Sequence, residues 1–165
     1  MDKERKIIDE ADVVAYFRAF SESDFTTMES MMHPDCFLEF PGSTFGGRIN
    51  GREAIMGMFR QIQFIMGGSL VFHCKWAMKK DAMAAVHWFT TGTPAHGGKY
   101  LNRGVAWFLL EDGRIREFQD FLDTQILDAF WPGAIPCTDF APARQLIERL
   151  QEITPREALA CLAEL

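Results

Sequence analysis

Apolar residues recur at helical spacing from Ile8 to Phe20, with Ala11, Val14, Ala15 and Ala19 marking a stripe that Val13, Phe17 and Phe20 widen. That pattern predicts an amphipathic helix packed on a core. Ser23 or Asp24 can cap a second short helix carrying Phe25, Met28, Met31 and Met32, stopped at His33-Pro34 because the residue before proline is pushed out of the helical region. Residues 36 to 40 read as a strand ended by Pro41-Gly42, and a Gly/Ser/Thr loop follows. A third helix is predicted from Arg52 to Ile65, with Ile55, Met56, Phe59 and Ile62 on one side and Gly67-Gly68 at its end.

The period then changes to two. Ser69 to Met78, Ala82 to Thr91, Lys99 to Leu110 and Arg114 to Asp123 alternate, separated by Lys79-Lys80-Asp81, a glycine-rich loop and Glu111-Asp112-Gly113. Short turns between consecutive strands predict an antiparallel meander rather than strand-helix-strand units. Helical patterning returns with Leu127, Phe130 and Trp131, then Leu146 to Ile153, and Thr154-Pro155-Arg156-Glu157 opens a final short helix. The fold class expected is α+β, a curved antiparallel sheet wrapped around N-terminal helices, with one domain over residues 1–131. The C-terminal helices, 132–165, form an extension on that domain or on a partner subunit.

Composition changes the picture in one respect. Of 165 residues, 15 are Phe and 4 Trp but only 2 Tyr, and because Phe is bulky with no polar atom, this bias suits either a tight interior or an apolar cavity. The net charge of -6 disfavours nucleic acid, whose phosphates call for a basic face. The four cysteines, Cys36, Cys74, Cys137 and Cys161, lie far apart with no CxxC, and read as free thiols of a cytoplasmic protein. No apolar run nears the roughly 18 residues of a membrane helix, so no membrane partner is expected. Scattered histidines without carboxylates at ligand spacing, and no glycine-rich phosphate loop, imply neither a metal nor another cofactor.

Three stretches carry a resemblance. Tyr16 to Asp24 looks like a helix ending in a "GD" turn, and Asn50-Gly51-Arg52-Glu53-Ala54-Ile55 like a "G-x-x-AI" helix start. Arg103 to Phe108, Glu111 to Ile115 and Glu117 to Asp123 supply the last hairpin. In this order they resemble the nuclear transport factor two-like superfamily, which includes ketosteroid isomerase, limonene epoxide hydrolase and the SnoaL-like polyketide cyclases. The resemblance covers about residues 8 to 131 and implies a cone-shaped fold and a homodimer. It also places Phe72, Cys74 and Trp76, then Ala85, His87 and Phe89, then Asn102, Gly104, Ala106 and Phe108, then Phe118, Asp120 and Leu122 facing the cone.

Asp120, between Phe118 and Leu122 on an apolar face, is the foremost candidate, because a buried carboxylate needs a partner or a raised pKa. Its partner is expected to be His87, as an acid/base pair, or else the backbone, Arg103 or Arg116. Counting back from Asp120 puts His87 and Phe89 where limonene epoxide hydrolase has an Arg and an Asp, so that catalytic set is incomplete. Tyr16 matches the oxyanion-hole tyrosine of ketosteroid isomerase, but Phe40 and Ala106 stand where its base and second donor belong. Expected catalytic residues are therefore Asp120, His87 and Tyr16. Asn102, Phe40, Phe72, Trp76, Phe89, Phe108 and Phe118 are expected to bind the substrate. Two functions fit. One is a cofactor-independent isomerase, cyclase or hydrolase working by proton transfer on a small hydrophobic oxygenated molecule. The other is a non-catalytic ligand-binding or dimeric assembly module. On the far side of the sheet, Trp88, Val105 and Trp107 are expected to meet the second subunit.

Overall fold

Helix α1, Glu10–Ser21, begins where Asp9 and Asp12 exchange side chain to backbone hydrogen bonds in a capping box. Asp24 caps α2, Phe25–Ser30, by accepting from the Thr27 amide. The computed structural model describes residues 5–40, 47–95 and 97–130. The chain continues through β1, Met32–Phe40, β2, Gly47–Asn50, and α3, Arg52–Ile65, to the strands β3, Val71–Lys80, β4, Met83–Gly92, β5, Tyr100–Glu111, and β6, Arg114–Leu122, and then α4, Thr124–Phe130. Cys137, Cys161, His96 and the extension 132–165 lie outside the described residues.

The six strands form one curved sheet that stays open, in the order β2-β1-β6-β5-β4-β3. Strands β3 to β6 are the predicted meander, and β1 closes against β6 in parallel. The β5–β6 hairpin turns on Asp112 and Gly113, both at positive φ, as a two-residue loop matched to strand twist requires. Two features of the first hairpin were not expected. Strand β1 begins at Met32, so His33-Pro34 lies inside it. There its pairing with β6 jumps from Met32–Ile115 to Phe37–Glu117, because proline brings no N–H to the ladder. The Gly/Ser/Thr loop that follows β1 also contains β2, whose four residues are too few for alternation to mark a strand.

Helix α1 lies on β3 and β4, and α3 on β1. Tyr16 and Phe17 of α1 meet Phe108 and Phe118 of the sheet ring to ring, with centroid separations between 4.7 and 6.4 Å across the group. All four are buried. Phe108 and Phe118, expected to bind a substrate, are buried in this ring cluster and are not among the described residues that line the cavity.

Strand parity departs from expectation on β3 and β4. A bulge between Cys74 and Trp76 swaps the faces of β3, so Ala77 rather than Trp76 packs on the core. On β4 the inward residues are Ala84, Val86, Trp88 and Thr90, all buried, while Ala85, His87 and Phe89 face outward. Both sets on β4 contain large or apolar residues, so alternation alone left its register weakly specified. Trp88 is thus a core residue and not part of the outer face.

Gly104 makes room for that indole. It pairs with Trp88 on one side and Leu122 on the other, and a Cβ at this position would stand 2.7 Å from Trp88 Cζ2 and collide with the Phe121 carbonyl oxygen. Because a backbone atom of the next strand cannot simply rotate away, Gly104→Ala should destabilise the protein by about 1–3 kcal/mol. The check is a urea unfolding midpoint, with an unchanged value counting against the close packing.

Candidate active site

Asp120 on β6 is 7% exposed, and its Oδ1 accepts a hydrogen bond from Trp88 Nε1 at 3.2 Å. One strand, β5, separates these residues in the order β4-β5-β6, and the indole crosses it over Gly104, where there is no side chain. Burial pushes the Asp120 carboxyl up to about 8, while the Trp88 bond opposes that shift. At neutral pH the group is therefore mainly protonated. With Oδ1 accepting from the indole, the proton belongs on Oδ2.

Asp120 lines a small cavity of about 40 Å³. Phe20 of α1, Phe40 of β1, Phe59 and Ile62 of α3, Leu70 and Phe72 at the start of β3, Leu122 and Leu127 supply its apolar walls. Trp88, Thr90 and Tyr100 complete the polar side with Asp120, and among the described residues no lysine or arginine takes part. This volume holds a few waters at about 10–15 Å³ each and falls well below the several hundred Å³ of a drug-sized site.

The expected residues divide between the two faces. Phe40 and Phe72 line the cavity with Asp120. His87 does not meet Asp120; it pairs with Trp76 and Val105 on the outer face, its ring 5.8 Å from that of Trp76. Phe89 is also outside, stacked on His73 at 4.4 Å with Lys75 over its ring, and Trp76 is 44% exposed. Neither can touch a molecule in the cone. Tyr16 is enclosed among rings and donates to Met32 Sδ at 3.4 Å, away from the cavity wall. Burial raises its phenol well above the ordinary range. Asn102 is a scaffold, donating to Tyr100 Oη at 3.0 Å and to the Asp123 carbonyl at 3.1 Å.

Three polar positions on the wall were not anticipated. Trp88 was assigned to the wrong face, although a buried indole N–H needs an acceptor and a buried carboxyl needs a donor, a complementarity visible in composition. The Thr90 hydroxyl is buried beside the Tyr100 phenol, near enough to favour the ionised phenol, yet it makes no hydrogen bond in this geometry. Tyr100 begins β5 and accepts from Asn102, while burial raises its pKa. Neither of the two described thiols is a ready nucleophile, since burial lifts both Cys36 and Cys74 to about 11. Among the described residues no cluster of three His, Cys, Asp or Glu could hold a metal, and no helix is long and apolar enough to cross a membrane.

A family profile described as a SnoaL-like domain matches residues 13–118. Among solved structures, Bal32a from a soil-derived mobile gene cassette superposes with a TM-score of 0.67 at 22% identity, covering 74% of this chain and 95% of its own. A putative polyketide cyclase from Xanthomonas campestris gives 0.58 at 21% identity over 72% and 92%. An LEH-like epoxide hydrolase from M. tuberculosis gives 0.57 at 20% identity over 70% and 82%. No curated protein matches.

The raised carboxyl links folding to pH. Between the usual aspartate value of 3.8 and about 8 the folded chain holds a proton that the unfolded chain releases, so this contribution is complete at low pH and is lost as pH rises through 8. Asp120→Asn removes the dependence. The stability difference between variant and wild type should shift in the variant's favour by on the order of a few kcal/mol from pH 4 to pH 8. Denaturant unfolding of both proteins across that range would read it, and parallel curves would contradict the assignment.

Proposed function

Since this chain belongs to the SnoaL-like domain family, with the nuclear transport factor two-like fold, we propose that its cavity takes a small, neutral, largely apolar molecule carrying an oxygen. Asp120 transfers a proton to or from that molecule. One observation carries this reading: a carboxyl that burial holds near pKa 8 forms part of an otherwise mostly apolar wall. A group whose pKa lies near the working pH is efficient both as a donor and, once ionised, as an acceptor. Protonated Asp120 gives its Oδ2 proton to a developing oxyanion or leaving oxygen. Trp88 Nε1–H then steadies the carboxylate that remains. Isomerisation, cyclisation and hydrolysis all use such a step, and the relatives described as a polyketide cyclase and an epoxide hydrolase fit that range. Among the described residues no lysine or arginine lines the cavity, which favours a neutral ligand over an anionic one.

A binding module is the second reading, and the position of His87 favours it. With that imidazole on the outer face, Asp120 lacks the titratable partner expected of an acid/base pair. Turnover separates the two readings. Incubated with a panel of cyclic ketones, enols and epoxides, the wild type should convert at least one, and Asp120→Asn should slow that conversion roughly 10²–10⁴-fold. A general acid loses kcat/KM as pH rises through about 8, whereas a general base gains it over the same interval. Full activity in the Asn variant would remove Asp120 from the chemistry.

The outer face carries a second part of the proposal. Trp76, His87, Val105 and Phe121 form one continuous cross-strand row over β3 to β6, with Trp76 and Phe121 44% and 48% exposed. Such a row is apolar surface suited to a second copy of this chain. The free thiols of Cys36 and Cys74 support a reducing compartment, the cytoplasm. Phe121→Glu should turn a dimer into a monomer in analytical ultracentrifugation, and a wild type that sediments as a monomer at high concentration would end the dimer assignment.

A further inference from the structure

A buried hydroxyl that stands beside the Tyr100 phenol without making a hydrogen bond marks where a ligand's polar atom belongs. Thr90 is 2% exposed, it lines the cavity, and its Oγ1 makes no hydrogen bond. Valine has the same shape without the unsatisfied group, so a threonine here costs stability that a structural role does not recover. Phe72 is the cross-strand partner of Thr90 and stands on the same face. It also lines a groove of about 440 Å³ on the other side, formed by α1 and the edge strand β3 with Val14, Arg18, Ser21 and Cys74.

Among the described residues, Phe72 is the one common to the cavity and the groove. Its backbone is held by the Thr90 pairing and by a hydrogen bond from its N–H to Ser21 Oγ at 2.9 Å. Its ring is only half-buried and rests on Phe17, Phe20 and Trp88, each at a centroid separation of 5.1 Å. A side-chain rotation can therefore open the wall without moving the strand. The cavity alone admits a few waters, but opened to the groove it reaches the range of small-molecule sites.

We propose that Phe72 is a displaceable wall, and that a neutral, ring-sized ligand enters from the α1–β3 groove and hydrogen-bonds the Thr90 hydroxyl through its own hydroxyl or carbonyl. The inference deepens the small-molecule reading above and rests on it for the existence of a ligand. It does not require Asp120 to transfer a proton. Thr90 sets which ligand is accepted, by favouring a compound with an oxygen at its inner end over its hydrocarbon isostere.

Phenol and toluene, nearly equal in shape, are the probes, with affinities read by ligand-observed NMR. The wild type should prefer phenol by about tenfold, the worth of one good hydrogen bond. Thr90→Val should abolish the preference while leaving the melting temperature unchanged or higher. Phe72→Leu, and Phe72→Ala if it folds, should bind both probes more tightly and keep the preference. A clear loss of stability in Thr90→Val would show that the hydroxyl serves the fold and would overturn the proposal. So would a preference that survives Thr90→Val, no gain of affinity in Phe72→Leu, or no binding of either probe by the wild type. Asp120→Asn distinguishes the two readings. A phenol preference lost there and kept in Thr90→Val would overturn this inference and leave the acid/base reading in place. A preference that persists in Asp120→Asn while turnover is unaffected would uphold this inference and remove the acid/base reading.

Discussion

The hydrogen bond from Trp88 Nε1 to Asp120 Oδ1 is the constraint around which the interior is arranged. It joins strands that are not neighbours, and it exists because Gly104 leaves the intervening strand bare. Without the indole the carboxyl would lose its only described hydrogen-bond donor, and without the carboxyl a buried indole N–H would have no acceptor. Their pairing fixes the pitch of the Trp88 ring, against which Phe72 then packs. The wall of the cavity, the position of its polar group and the ring that separates it from the groove thus follow from one contact.

The aromatic surplus serves two different purposes inside the cone. Tyr16, Phe17, Phe108 and Phe118 pack together in close ring contacts and are buried away from the cavity. Phe20, Phe40, Phe59 and Phe72 stand around the remaining space as its wall. The difference lies in what faces each set. The first set packs ring on ring between α1 and the sheet, whereas the second is gathered around polar groups on β4, β5 and β6, which a dry apolar plug would leave without partners.

Much of the fold was legible because its signals are local. The capped helices, the change of period after Gly68 and the Asp112-Gly113 turn each follow from a few adjacent residues. The site was less legible because it depends on which way each strand faces. Asp120 stood out, since a carboxyl between Phe118 and Leu122 is conspicuous on any covered face. His87, Phe89 and Trp76 were assigned to the cone on a pattern that a single bulge and an almost evenly apolar β4 could not sustain. Thr90 carried no signal at all. A threonine is ordinary in a strand, and only the missing hydrogen bond distinguishes it.

Strand β4 shows why the outer and inner surfaces can serve separate roles. Its inward residues, Trp88 and Thr90, contribute to the cavity, while His87 and Phe89 between them belong to the surface that faces away. Alternation keeps the two sets from touching, so a change on one face reaches the other only through the backbone they share. Gly104 is the exception. A side chain there would press on Trp88 within the cone and on the Phe121 backbone, whose side chain lies in the outer apolar row. Register at this residue therefore couples the polar wall of the cavity to the surface proposed to meet a second subunit, and it does so through packing rather than through any chain of hydrogen bonds.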